Sequence, residues 1–260
     1  MTLRARLADG GTALGTMVFE FHTLGLPRIV ANAGADFVML DLEHTGWGIE
    51  GIRPLLAAAG AYDVEPLVRV QGSARQLISP ALDVGARGVM VPMIGDAMEA
   101  ERVVQAARFA PYGSRGFGLL YGDQLSAGVG AAMRAAEEGT LVILQIETEA
   151  GLHHVEEIAV TPGVDVLWVG QFDLSIAMGI PGAFDDSRMT EAEDRVLAAC
   201  ADAGIAAGVL VGSVDVARSM LARGFRMVAL GSDIDLYGEA VRSGIIALRN
   251  ADGPSPPLSM

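Results

Sequence analysis

Two short apolar runs in this chain each end in a carboxylate. Residues 140–147 finish in Gln145-Ile-Glu147, and residues 165–170 lead through Gln-Phe to Asp173. In a strand Ile143, Gln145 and Glu147 share one face, so the glutamate points where the glutamine points. Two carboxylates that converge in this way repel each other unless a cation or a shared proton relieves them. A divalent metal is the leading reading. Helix capping competes with it, because each acid immediately precedes a helix-length segment whose exposed amides favour acids; Glu149 suits that role better than Glu147 does. Two carboxylates without a histidine or thiolate cluster favour a hard, oxygen-seeking, octahedral ion such as Mg²⁺ or Mn²⁺, with Co²⁺ not separated from them. Catalytic zinc would usually want more nitrogen.

Other polar groups stand at the ends of apolar runs. Arg69 is flanked by Val68 and Val70, so alternation turns it inward, where an unpaired guanidinium is costly. It needs an anion: either a neighbouring acid in a structural salt bridge, or a substrate carboxylate or developing oxyanion, which suits the forked donors of arginine. His44 follows Asp41-Leu-Glu43 at the end of another run, a setting that favours acid–base chemistry over a structural histidine. His22, His153 and His154 lack such a setting and read as solvated.

Composition excludes several kinds of chemistry. The chain has no lysine, and all 18 basic residues are arginine. Schiff-base catalysis and pyridoxal phosphate both require a lysine amine, so both are excluded. A formal charge of −14 argues against nucleic acid or an anionic membrane as partner. Although 51% of residues are hydrophobic, no apolar run approaches the ~20 residues needed to cross a bilayer, which predicts a soluble protein. The N-terminus lacks the apolar segment of a secretory signal, and the single Cys200 excludes an internal disulfide; both fit a cytoplasmic location.

The elements that must position these residues follow from periodicity. Apolar runs near 14–20, 36–43, 66–71, 88–94, 140–147, 165–170, 206–211 and 226–232 alternate with helix-length segments at 24–34, 49–61, 73–85, 96–109, 150–161, 187–203 and 213–222. This alternation predicts a parallel sheet, and eight repeats predict an α/β fold of the closed (β/α)8 TIM-barrel type, a single domain over 1–250. Gly34, Gly85, Gly163 and Gly224 each stand where a helix would end in a left-handed cap before the next strand. The span 95–139 is too long for one repeat. Its Pro-Tyr-Gly-Ser-Arg-Gly segment at 111–116, followed by 125–138, reads as a long βα-loop insertion after the fourth strand, with a helix of its own. Residues 251–260 read as a flexible tail or arm. In such barrels function collects at the C-terminal ends of the strands, where the residues named above fall.

Taken together, Asp-Leu-Glu-His-Thr-Gly-Trp at 41–47, Val-Arg-Val-Gln at 68–71, the 111–116 segment, Gln-Ile-Glu-Thr at 145–148 and Val-Gly-Gln-Phe-Asp-Leu-Ser at 169–175 resemble the motif series of the HpcH/HpaI aldolase family. These are metal-dependent (class II) pyruvate aldolases acting on 4-hydroxy-2-oxo acids such as 4-hydroxy-2-oxoheptanedioate and 2-dehydro-3-deoxyaldarates. The resemblance implies that Glu147 and Asp173 hold the metal, that Arg69 contacts the keto-acid oxygens with Gln145 beside them, and that the backbone at Phe172 and Asp173 binds the pyruvate carboxylate. It implies that His44 moves protons, oriented by Asp41 or by Asp83 reaching in from a neighbouring subunit. It also implies a homo-oligomer, often a hexamer (a trimer of dimers), whose C-terminal helix packs on an adjacent barrel. Gln171-Phe172 stands where many members carry smaller or proline-containing residues. Rival readings are an acyl-CoA lyase similar to the citrate lyase β-subunit and malyl-CoA lyase, a phosphate-binding isomerase barrel, and a non-catalytic barrel that binds a keto acid.

Overall fold

In the computed structural model, which describes residues 1–118 and 128–250, the eight apolar runs are eight strands. They are β1 (Ala13–Val18), β2 (Phe37–Asp41), β3 (Glu65–Arg69), β4 (Gly88–Val91), β5 (Leu141–Ile146), β6 (Val166–Val169), β7 (Ala206–Val211) and β8 (Met227–Ser232). All pair in parallel in sequence order, and β8 closes on β1, so the sheet is a closed barrel. Around it run α1 (Leu3–Ala8), α2 (Leu26–Asn32), α3 (Ile49–Ala59), α4 (Arg75–Asp83), α5 (Ala97–Ala107), α6 (Val129–Gly139), α7 (Glu149–His153), α8 (Val155–Ala159), α9 (Gln171–Ala177), α10 (Ser187–Ala203), α11 (Val214–Arg223) and α12 (Asp233–Arg249).

Strand alternation divides the core in two. Phe37, Met39, Leu67, Met90, Ile143 and Trp168 fill the barrel. Their neighbours Val38, Leu40, Val68, Val91 and Leu144 point outward under the helices. Burying each such side chain contributes about 1.5–3 kcal/mol, which is why a one-residue slip of any strand is not tolerated. Gly34, Gly85, Gly163 and Gly224 have φ of 84°, 113°, 97° and 117°, the left-handed conformation expected of them.

The lower end, at the strand N-termini, is closed by α1, which the periodicity does not reveal. Leu3 and Leu7 are buried among the interior side chains. The helix is tied down by the Leu3 amide donating to Glu65 (2.7 Å), by Arg4 on Asp165 (2.7 Å) and by an Arg6–Asp36 ion pair.

Three further differences from the sequence reading concern helices. The 150–161 segment is two short helices, α7 and α8, broken at His154. The short α9 carries Asp173 in its first turn. The insertion does not interrupt the connection from β4 to its helix: α5 follows β4 directly, and the extra residues lie between α5 and β5, with α6 as their helix. The first residues of the predicted 125–138 helix, and the tail 251–260, lie outside the described residues.

Candidate active site

The register between β2 and β3 sets Asp41 beside Arg69 at the upper ends of both strands. Arg69 Nε donates to Asp41 Oδ1 at 2.5 Å, and Arg69 Nη1 lies 3.3 Å from Glu43 Oε2. Both members of the first pair are buried. Asp41 also accepts the backbone N–H groups of Glu43 (3.2 Å) and His44 (2.8 Å), while its carbonyl takes the Thr45 hydroxyl at 2.7 Å. One acid therefore fixes both the arginine and the turn that presents His44. The acid nearest the exposed imidazole is Glu43, with Oε2 at 3.7 Å from Nε2. Asp41 orients the histidine through the main chain rather than through the ring.

Across the barrel mouth, Gln145 and Glu147 share a face as alternation requires, and Gln145 Nε2 donates to Glu147 Oε2 at 2.5 Å. The other carboxylate oxygen accepts the Met93 amide at 2.7 Å; Met93 has a φ of 60°, unusual for a residue with a side chain. Gly170 sits against this pair, and a Cβ there would fall 2.4 Å from Glu147 Oε2 and 2.7 Å from Gln145 Nε2. Burial pushes the Glu147 carboxyl up to about 7, and the nearby Glu43 and Asp173 push the same way, against the pull of the Met93 amide and Arg69. Burial likewise raises Glu43, with Arg69 and His44 opposing.

These groups border a cavity of about 220 Å³ lined by His44, Arg69, Gln145, Asp173, Phe19 and Phe172, among others. The Phe19 ring packs 5.6 Å from the Arg69 guanidinium carbon, and Phe172 meets Phe184 edge-on at 5.0 Å. The mouth thus brings together His44, Arg69, Gln145, Glu147, Phe172 and Asp173. It does not bring in Asp83 of the same chain, which ends α4 and is held by Arg115 at 2.7 Å. An orienting role for Asp83 requires a second copy of the chain. His22 bonds the Gly51 carbonyl (2.7 Å) and meets Trp47 edge-on, while His153 and His154 contact each other; none of the three lines the cavity.

The donor set fits an oxygen-seeking cation. Glu43 Oε2 and Gln145 Oε1 are buried and accept no hydrogen bond among the described residues. Four acids, Asp41, Glu43, Glu147 and Asp173, gather near one guanidinium, Arg69, and a cation would relieve their mutual repulsion. Among the described residues no group of three or more His, Cys, Asp or Glu side chains forms a cage. Two carboxylates leave most of a coordination shell to water and substrate oxygens, as Mg²⁺ and Mn²⁺ prefer.

The sequence names Glu43 only as a neighbour of His44 and marks no role for Met93, Gly170 or Phe19. Glu43 was readable, since it is two residues from Asp41 and shares its face; nothing local marks Met93.

A closed parallel barrel whose polar side chains gather at the C-terminal ends of the strands is the architecture of TIM-barrel enzymes. Residues 23–240 match the HpcH/HpaI aldolase/citrate lyase family, and the chain belongs to it. It is 30% identical over 256 residues to a 2-keto-3-deoxy-L-rhamnonate aldolase of Shigella dysenteriae, covering 96% of this chain and 94% of the relative. A hydroxypyruvate/pyruvate aldolase of Delftia acidovorans is 35% identical over 227 residues, 86% of this chain and 84% of the relative. The crystal structure of an HpcH/HpaI aldolase from Desulfitobacterium hafniense superposes with a TM-score of 0.89 at 25% identity, over 98% of this chain and all of that one.

Proposed function

We propose that this protein is a class II pyruvate aldolase that reversibly cleaves a 4-hydroxy-2-oxo acid into pyruvate and an aldehyde. The observation that carries the reading is the crowding of three carboxyls, Glu147, Glu43 and Asp173, near Arg69 at one barrel mouth, where burial raises Glu147 and Glu43, in a chain without lysine. Both relatives are named as aldolases, one of 2-keto-3-deoxy-L-rhamnonate and one of hydroxypyruvate/pyruvate.

Glu147 and Asp173 would hold a divalent cation, with the Gln145 oxygen beside it. When bound there it neutralises negative charge that develops on the 2-oxo group. Arg69, anchored by Asp41, offers its remaining N–H groups to the keto-acid oxygens, and a fixed donor aimed at developing charge is usually a large contributor to catalysis. The main-chain N–H groups of Phe172 and Asp173 bind the carboxylate end. His44 takes the proton from the 4-hydroxyl, directly or through a water, as the C3–C4 bond breaks and its electron pair stays with C3. Reprotonation of C3 then yields pyruvate. Such proton transfer contributes ~10²–10⁴ in rate.

The assay is pyruvate release from 4-hydroxy-2-oxo acids. EDTA abolishes it, Mn²⁺ restores it, and borohydride added with substrate leaves it intact. Activity retained after thorough metal removal would remove the cation from the mechanism, and no release from any such acid would end the aldolase reading.

The protein works as a homo-oligomer in the cytoplasm in this reading. Apart from Asp233, α12 is exposed or half-exposed along its length, with Tyr237, Val241, Ile245 and Leu248 in contact with solvent. An apolar groove of about 560 Å³ between α2 and α11 is lined by Leu14, Ile29, Val214 and Leu221. The α12 helix of a second copy is its occupant. Ile245→Asp with Leu248→Asp gives smaller species in light scattering; an unchanged mass rejects this packing.

A further inference from the structure

On α10, Glu193 is 2% exposed, a costly place for a carboxylate unless it is paired. It is paired on both sides. Arg223, at the end of α11, binds Oε2, and Gln171 Nε2 donates to Oε1 at 2.7 Å. Arg223 is itself held by Asp194 at 2.8 Å and lies 5.9 Å from the Phe225 ring. Gln171 opens α9, two residues before Asp173, and lines the cavity. Gly170 caps this helix without any side-chain hydrogen bond, so the turn bearing Asp173 depends on other anchors. Ser175 supplies one from within, bonding the Phe172 carbonyl at 2.7 Å. The Gln171–Glu193 bond ties the same turn to the outer helices.

We propose that Glu193 is a positioning residue: through Gln171 it fixes the first turn of α9, and so the placement of Asp173 and Phe172 at the mouth. The inference rests on the reading of that mouth as a cation and keto-acid site. Without the bond, the α9 turn samples positions in which Asp173 no longer faces Glu147. A role confined to stability would lower melting temperature and leave ion affinity alone.

The test is Mn²⁺ affinity, read by electron paramagnetic resonance of free Mn²⁺, in wild type, Glu193→Ala, Gln171→Ala, the double variant and Glu193→Gln. Each single Ala variant binds Mn²⁺ about tenfold more weakly, and the double variant is no weaker than either single, since both cut one link. Glu193→Gln keeps an acceptor for Gln171 and retains most of the affinity. If Glu193→Ala does not fold, Gln171→Ala, which leaves the Glu193–Arg223 pair intact, carries the comparison against wild type. Wild-type affinity in Gln171→Ala, or additive losses in the double variant, overturns the inference. Failure of the wild-type protein itself to bind Mn²⁺ overturns the underlying reading of the site, and the inference with it.

Discussion

Asp41 and Arg69, neighbours in register at the ends of β2 and β3, form a buried ion pair at 2.5 Å whose acid also holds the backbone of His44. Neither group can lose the other cheaply. Asp41→Leu leaves the buried guanidinium its longer contact to Glu43 in place of the 2.5 Å pair, and breaking a buried pair costs roughly 3–5 kcal/mol. We expect a large fall in melting temperature and loss of turnover. Asp41→Asn keeps one acceptor for the turn and costs less stability, yet loses the charge opposite Arg69. Thermal melts paired with pyruvate-release rates separate the two, and an Asp41→Leu protein as stable as wild type contradicts the account.

In the cation-free protein Glu147 sets a pH dependence. Its carboxyl, ordinarily near 4.5, is pushed up to about 7 by burial and by Glu43 and Asp173. The folded, cation-free protein holds this proton more tightly than the unfolded chain does. The group's stabilising contribution is therefore complete below about pH 4.5 and is lost as pH rises through 7, a span of about 3 kcal/mol. Melting temperatures in EDTA should decline across this range. Glu147→Gln flattens the decline and above pH 7 is the more stable protein, while the proposed cation site loses affinity for Mn²⁺. Mn²⁺ uptake near neutral pH releases protons, measurable by titration in buffers of different ionisation heat.

Gly170 tests the cradle by shape alone. Its φ of −85° suits any residue, so Gly170→Ala strains no backbone, but the added methyl meets the Glu147 carboxylate and the Gln145 amide. Overpacking of this kind costs roughly 1–3 kcal/mol. We expect a folded protein by circular dichroism with ion affinity and turnover reduced at least tenfold. Normal affinity would show that Glu147 does not occupy the place described.

Asp233, the first residue of α12, accepts the amides of Phe19, Glu20 and Phe21 at 2.9, 2.9 and 2.6 Å. That loop carries Phe19 against Arg69. Asp233→Ala leaves three donors to find water and costs roughly 1–3 kcal/mol. A raised KM for the hydroxy-oxo acid accompanies it, because the mouth loses a wall; Asp233→Asn recovers part of both. Unchanged KM in Asp233→Ala would assign the acid a purely structural part.

The barrel and much of its mouth were readable because both follow from period. Alternation placed Arg69 inward between Val68 and Val70, put Gln145 and Glu147 on one face, and marked the cap glycines. What escaped depends on contacts between distant segments. The Met93 amide reaches Glu147 only because two loops meet, and Glu193 reaches Gln171 from 22 residues away. The α1 helix has six residues, too few for a periodic signal, and its burial depends on Glu65, Asp165 and Asp36 at the strand starts. Asp83 shows the other limit: its partner in this chain, Arg115, lies in an irregular segment that no repeat predicts.

The helix α1 beneath the barrel has a consequence for traffic. With Leu3 and Leu7 stoppering the lower end against a filled interior, the cavity among the described residues opens at the opposite end, the strand C-termini. If the proposed cleavage takes place there, the hydroxy-oxo acid enters and both products leave past Phe19 and Phe172, so arrival and departure share one queue.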